Sequence, residues 1–333
     1  MQQYILRRTL LNFVVLFLVA TMVFLALRVD PSNIIRERAQ GCTTAETYDA
    51  CREIAKAELG LDKPLWRQYG TYMADLAQLD LGKSFFTKNA VLQDIKDRAG
   101  PSIELGLLQI MVALVVALPI GIISAIRQDT WLDYLLRFVS IALLGIPVFV
   151  LAIFVMLGTT KYAGGTFLPE WLSVHGTWVN LFPGQTPGND HNVIENLKRV
   201  TGPALVGGLG TGAIIMRFLR SQMLEVLRQD YVRTAWAKGL RERVVVVRHA
   251  LKNALIPVLT VIGLLLGSIV SGNVVLEYLY TIPGIGFFII SSILQFDYPV
   301  VQGTVLVVAV TLVFVNLLVD IAYGWLDPRI RYS

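Results

Sequence analysis

The feature that most constrains this chain is a set of long stretches that carry almost no charge. Six run from Leu10 to Leu27, Leu105 to Ile126, Phe138 to Leu157, Thr201 to Phe218, Ala254 to Leu276 and Val300 to Val319. A hydrocarbon layer ~30 Å thick is crossed by ~20 helical residues. Backbone groups inside lipid find no water, so such stretches satisfy their hydrogen bonds by coiling into helices. Composition agrees: 55% of the residues are hydrophobic and 16% are charged, against about 25% charged in an average soluble chain. A soluble chain of 333 residues would suggest two domains; this one reads as an all-α membrane protein with six transmembrane helices.

The first stretch follows Arg7 and Arg8, as a secretory signal does. It is long and no small-x-small cleavage site follows, so it reads as a retained anchor. Pro119 is expected to kink the second stretch, Pro147 lies inside the third, and the fourth is the weakest and rich in Gly. A further apolar run, "GFFIISSIL" from Gly286 to Leu294, is too short to span. It reads as a re-entrant or interfacial helix opened by the turn "TIPGIG", Thr281 to Gly286.

Basic residues set the orientation, because Lys and Arg are retained in cytoplasmic loops. With the N-terminus inside, the cytoplasmic pieces hold Arg7 and Arg8, Arg127 and Arg137, a cluster from Arg217 to Lys252, and Arg329 and Arg331. The cluster has nine Lys and Arg against Glu225, Asp230 and Glu242, while the outer loop from Glu277 to Pro299 has neither Lys nor Arg. The other outer loop, Thr159 to Arg199, holds Lys161, Lys198 and Arg199. Both termini are therefore expected in the cytoplasm. The net charge of +5 reports this orientation and does not point to nucleic acid.

Asp30 to Arg98 then lies outside. Its ten basic and eleven acidic residues, interleaved with Trp66, Tyr69, Tyr72, Phe85 and Phe86, suggest a small folded element. The chain's two cysteines, Cys42 and Cys51, both fall there. A disulfide is possible outside the cytoplasm; two free or buried thiols are the alternative.

Catalytic and cofactor patterns are missing. "GGLGTGA", Gly207 to Ala213, formally contains GxGxxA, but it sits inside an apolar stretch with no preceding strand, so close helix packing through small residues explains it better. There is no GxxxxGK[ST], HExxH or GxSxG, and His175, His191 and His249 are far apart in sequence. No ionisable residue stands clearly mid-span: Glu104, Arg137, Arg217 and Asp320 fall near span ends, which weakens an ion-coupled carrier.

What remains is the basic cytoplasmic segment "QDYVRTAWAKGLRERVVVVRHALKNALIP", Gln229 to Pro257. Asp230 is a reasonable N-cap, Tyr231, Thr234, Ala235 and Lys238 share a helical face, and Gly239 suits a C-cap. Ala235 and Ala237 are small enough to let another backbone approach. A second segment, Arg241 to Asn253, carries the apolar run Val244 to Val247, so the cluster reads as a helix-turn-helix. It could hold orientation through its charge, or dock a soluble partner.

This segment resembles the cytoplasmic EAA loop of ABC importer permeases, whose pattern is E-A-A, three residues, Gly, nine residues, then I-x-L-P. Ala235 and Gly239 match; Arg233 stands at an acidic position, and the I-x-L-P would fall on His249 to Lys252 and is absent, with the proline at Pro257. The departures are similar to the dipeptide/oligopeptide permease branch, "RTAxAKGL…RHALxNALIPVLT". "YILRR" at Tyr4 to Arg8, "LGLDKPLWRQYGTYMADLAQLDLGKSF" at Leu59 to Phe85, "PGIG" at Pro283 to Gly286, "DYPVVQG" at Asp297 to Gly303 and "LLVDIAYGWLDPRIRY" at Leu317 to Tyr332 also resemble that branch, in its B-type subunit. The resemblance covers nearly all of the chain except the insert around Gly41 to Ala55 and the Thr159 to Arg199 loop.

The resemblance implies a type I ABC importer permease fold. The first helix would occupy residues 1–29, an extracytoplasmic loop domain 30–98, the permease core 99–326 with its coupling loop at 222–253, and a cytoplasmic tail 327–333. It implies a multi-pass protein of the bacterial cytoplasmic (inner) membrane that is not itself an enzyme and holds no cofactor. Its partners would be a second, C-type permease subunit, two ATPase subunits that bind ATP and Mg, an extracytoplasmic substrate-binding protein and membrane lipid. Asp230, Tyr231, Arg233, Thr234, Ala235, Lys238 and Gly239 would form the ATPase-coupling helix. Dipeptides or oligopeptides are the expected substrates, with nickel complexes or oligosaccharides as the alternatives within the branch. An ion-coupled secondary carrier or a membrane scaffold are the readings from other classes.

Overall fold

The computed structural model describes residues 2–26, 28, 32, 35, 50–54, 56, 60–159, 193–270 and 273–326. Cys42, His175, His191, most of the Thr159 to Arg199 loop and the tail 327–333 lie outside the described residues. The described residues are almost entirely helical: α1 Gln2–Ala26, α2 Leu65–Ala77, α3 Val91–Ile126, α4 Trp131–Gly145, α5 Val148–Thr159, α6 Val193–Leu227, α7 Asp230–Ala237, α8 Glu242–Val244, α9 Lys252–Val270, α10 Val274–Leu279, α11 Ile285–Leu294 and α12 Tyr298–Leu326. A π-helical turn, Val245–Leu251, joins α8 to α9.

Among the described residues, four helices are long and apolar enough to cross a membrane: Val91–Ile126, Val200–Leu227, Glu242–Leu266 and Tyr298–Val319. The pair α4 and α5 makes a fifth candidate if counted as one bent span, and the apolar part of α1, Leu10–Ala26, is shorter. Large apolar side chains such as Phe13, Met22, Val115, Phe138 and Phe154 point outward. In water such exposure would be costly; against lipid tails it is not.

Three expected spans differ in detail. The third, expected to run from Phe138 to Leu157 through Pro147, is two helices bent by 101°. Pro147 has no N–H to donate and disfavours helical geometry in the residue before it, and Ile146 is extended, at φ −85° and ψ 120°. The fifth, expected to continue to Leu276, ends at Val270, and Asn273 opens the separate helix α10 by accepting the Leu276 N–H. The fourth, apparently the weakest, lies inside a helix of 35 residues.

The chain divides into two compact units, Met1–Ala99 with Phe287–Phe314, and Gly100–Gly286 with Val315–Ser333. In the first, α2 lies along the end of α1. Phe24 is fully buried, with the rings of Tyr69 and Tyr72 at 5.2 and 5.3 Å from its own. Thr21 and Tyr69 share a hydroxyl hydrogen bond of 2.8 Å, and Arg28 Nε donates to Gln68 Oε1 at 2.9 Å. The loop before α3 is pinned to the start of α12 through a buried carboxylate. Asp297 accepts from Ser84 Oγ at 2.5 Å and from the Phe85 N–H at 3.1 Å. Ser84 Oγ in turn accepts the N–H groups of Phe86 and Thr87, so this buried polar pair is well supplied with partners. Gly303 lets α12 pass closely, since a Cβ there would stand 2.7 Å from Val91 Cγ1.

In the second unit the small residues of "GGLGTGA" pack α6 onto α3, as expected of that run. A Cβ on Gly207 would meet the Gln109 amide, one on Gly208 would meet Val112 at 2.7 Å, and one on Gly212 would stand 3.2 Å from the Ala113 carbonyl. Ala113, Ala117, Ile215, Met216, Leu219, Ala250, Ala254 and Val258 form one core of α3, α6 and the α9 region.

This packing makes a sharp contrast testable. Gly208→Ala should destabilise the protein by roughly 1–3 kcal/mol through overpacking. Gly210→Ala, whose Cβ meets nothing within 4 Å, should be neutral or stabilising, because Ala is favoured over Gly in a helix by about 1 kcal/mol. Thermal denaturation in detergent reads both; equal shifts would contradict the α3–α6 contact.

Candidate functional site

The basic segment singled out above folds as a short helix held between two long ones. α6 ends at Leu227 and α7 starts at Asp230. The side chains that hold α7 down are Val232 and Ala235, both buried, packed with Val245 of the π turn and with Val226 and Leu227 at the end of α6. Val232 and Ala235 are three positions apart, so both fall on one face of the helix. A second tether comes from Asn253, whose Nδ2 donates to the Tyr231 hydroxyl at 2.7 Å.

The opposite face is open. Asp230, Arg233, Thr234, Ala237, Lys238 and Gly239 are exposed, and the large rings of Tyr231 and Trp236 are 43% and 45% exposed. Leu240, Val244 and Val247, further along the segment, are also exposed. Arg233, Lys238, Arg241, Arg243 and Arg248 are exposed as well and make the segment positive. An exposed pair of aromatic rings with a basic rim suits a protein partner with an acidic-edged groove.

Two roles expected from the sequence are corrected. Asp230 does not cap α7: Gln229 holds the N-cap position and makes no side-chain cap bond. Asp230 is the first helical residue, where its charge faces the positive end of the helix dipole, and its 3.6 Å pair with Arg233 is solvent-exposed and worth little. Ala235 is turned inward, at 5% exposure, so its small size permits close approach of α7 to its own chain. The side turned away from it carries Asp230, Arg233, Thr234 and Ala237, and the half-exposed rings of Tyr231 and Trp236 flank the buried strip from either side. Gly239 does what its type predicts: it follows the C-cap Lys238 with φ +72°, and its N–H bonds the Trp236 carbonyl at 2.9 Å. Tyr231 with Asn253, and the outward ring of Trp236, were not singled out from sequence. Spacing pairs Val232 with Ala235 on one side of the helix, but Val226 and Val245, which lie outside α7, decide that this side turns inward.

Two buried carboxylates brace the scaffold that carries α7. Asp133, fully buried in the first turn of α4, accepts from Arg220 Nε at 2.9 Å and from Arg220 Nη2 at 2.8 Å. Ser124 Oγ and the Asp129 N–H complete its shell, so one side chain joins α3, α4 and α6. Glu277 of α10, also fully buried, accepts the Gly286 N–H at 2.7 Å and the Asn273 N–H at 3.2 Å. Ser102 Oγ accepts the Ile285 N–H at 2.8 Å. A Cβ on Gly284 would collide with both the Glu277 carboxylate and Ser102 Oγ, which explains the glycines of "PGIG".

Of the possible disulfide, Cys51 is disulfide-bonded and no described cysteine is free; Cys42 lies outside the described residues.

Comparison with known proteins gives a consistent result. Residues 117–332 match the family model described as binding-protein-dependent transport system inner membrane component, and residues 1–106 match its N-terminal companion. The chain is 37% identical over 341 aligned positions to the dipeptide transport system permease protein DppB of Alkalihalophilus pseudofirmus, covering 100% of both. It is 35% identical over 333 positions to DppB of Bacillus subtilis, covering 99% of this chain and 98% of the relative. It is 38% identical over 289 positions to DppB of Escherichia coli K12, covering 83% and 84%.

The corner after α7 separates two effects of substitution. A Cβ at Gly239 meets nothing within 4 Å, so only its φ of +72° resists a side chain. Gly239→Val should loosen the corner by about 1–2 kcal/mol, and Gly239→Asn by much less, because Asn tolerates the left-handed region. Limited trypsin cleavage between Arg233 and Arg243 should rise for Val and stay near wild type for Asn. The same cleavage for both would contradict the left-handed corner.

Proposed function

The chain belongs to the family of binding-protein-dependent transport system inner membrane components, and on that premise we propose that it forms half of the translocation path of an ATP-driven importer of dipeptides and oligopeptides. It is a multi-pass inner-membrane permease. Its six spans are α1, α3, the bent pair α4 and α5, α6, the helix through α9, and α12, in a type I importer fold with both termini in the cytoplasm. Residues 30–98 form the extracytoplasmic loop domain, 99–326 the permease core and 327–333 the cytoplasmic tail. The observation that carries the substrate class is full-length similarity to the dipeptide permeases of Alkalihalophilus pseudofirmus and Bacillus subtilis, spread over both ends of the chain.

The mechanism follows from α7. Its exposed side, with Thr234 and Lys238 and with the rings of Tyr231 and Trp236 at either edge, enters a groove of an ATPase subunit, with Asp230 and Arg233 at its start and Gly239 setting the exit angle. ATP and Mg are bound by two such subunits, not by this chain. When the ATPases close, α7 moves, and because its inner face is packed on α6 and the π turn, the long helices move with it. A second, C-type permease supplies the other half of the path, and an extracytoplasmic binding protein delivers the peptide, with the 30–98 region as its contact.

The test is the ATPase activity of the reconstituted complex with binding protein and a dipeptide mixture. Wild type should be stimulated by peptide-loaded binding protein. Gly239→Asp, a side chain that the isolated corner accommodates and a docked partner would not, should remain in the membrane and show no stimulation. Stimulation of that variant would overturn the coupling role, and a complex that assembles but ignores peptides would overturn the substrate class.

A further inference from the structure

Asp133 has more cationic company than one carboxylate uses. Arg220 holds it with two hydrogen bonds from α6. Arg137, four residues along α4 itself, brings Nη2 within 3.2 Å of Asp133 Oδ2. That approach does not have hydrogen-bond geometry: Nε and Nη2 of Arg137 are buried without a hydrogen-bond partner, and the guanidinium lies 4.6 Å above the Tyr134 ring. Arg137 therefore stands beside the carboxylate with donors unspent.

Arg220 lies ten positions before Asp230, on the helix that leads into α7. A displacement of α7 that carries the end of α6 pulls directly on the Arg220–Asp133 bond. Breaking a buried pair normally strands a charge, and that makes such a contact resist opening. Here the spare cation rides on the same helix as the carboxylate, so Asp133 keeps a partner after α6 has moved. Two arrangements of similar energy are what a switching contact requires.

We propose that Asp133 is a positioning residue that exchanges partners during the transport cycle, held by Arg220 in the arrangement described here and by Arg137 when the coupling end of α6 has shifted. The exchange rests on the reading of α7 as the ATPase contact. It gives Arg137 a task that neither membrane anchoring nor the charge bias of cytoplasmic loops requires.

A cysteine pair reports the α4–α6 separation: Ser140 Oγ donates to Met216 Sδ at 3.2 Å, one helical stretch above the clamp. The experiment uses the whole reconstituted complex carrying Ser140→Cys and Met216→Cys, with residue 137 as Arg, Lys or Gln. Crosslinking is expected to be efficient without nucleotide and to fall several-fold with a bound non-hydrolysable ATP analogue. Arg137→Gln should keep the crosslink in the nucleotide-bound complex and lower peptide uptake per ATP hydrolysed, while Arg137→Lys restores both. Uptake by Arg137→Gln equal to wild type, or a wild-type crosslink indifferent to nucleotide, would overturn the exchange. If Arg137→Gln fails to assemble, the Arg and Lys complexes decide alone through the nucleotide dependence of the crosslink. Loss of peptide-stimulated ATPase in the wild type counts against the importer reading instead, and is seen without any substitution at residue 137.

Discussion

Everything in this structure depends on one requirement: each backbone N–H and C=O that enters lipid must find its partner inside the protein. That requirement makes the apolar stretches helical, and it shifts the problem of cohesion elsewhere. Apolar side chains gain little by leaving lipid for one another, so the helices are drawn together by close approach and by buried polar contacts. Both devices are visible. Gly207, Gly208 and Gly212 bring α6 close against α3, and at Gly208 a Cβ would stand within 2.8 Å of both Val112 and the Gln109 carbonyl. Asp133, Glu277 and Asp297 each collect several donors in sites closed to solvent. Breaking a buried ion pair costs about 3–5 kcal/mol, so the Arg220–Asp133 pair resists separation of α4 from α6.

Much of this was legible in advance, because the physics involved is local. Long uncharged stretches, small-residue runs and a glycine after a short amphipathic helix are properties of neighbouring residues. So the apolar helices, the packing role of Gly207 to Ala213 and the left-handed Gly239 follow from reading along the chain. The bend at Pro147 was not foreseen: a kink was expected at Pro119, which lies inside the continuous helix α3, and how far a proline bends a chain depends on what the following helix packs against. The roles of Asp230 and Ala235 were misjudged for a related reason. Helical spacing says which residues share a face; it does not say which face turns inward, and Val226 and Val245 decide that from outside the helix.

The polar braces were invisible for a different reason. Asp133 and Arg220 are 87 positions apart, and Ser84 and Asp297 are 213 apart. Each taken alone is an ordinary loop or helix-end residue. Membership in the transport family now gives these contacts a meaning that composition could not, since a permease must hold its helices in more than one arrangement without exposing the groups that hold them.

The π-helical turn at Val245–Leu251 has a consequence of its own. A wide turn of this kind accommodates one residue more than an α-helix would, and one residue corresponds to about 100° of rotation at 3.6 residues per turn. The helix that emerges below it is thus clocked differently from the helix above. Val245 can face α7 while its neighbour Val246 faces the core shared with α3 and α6, so two adjacent valines serve two different packing surfaces. The junction works like an offset coupling on a drive shaft: it lets the part that grips α7 and the apolar helix beyond it each keep its own orientation.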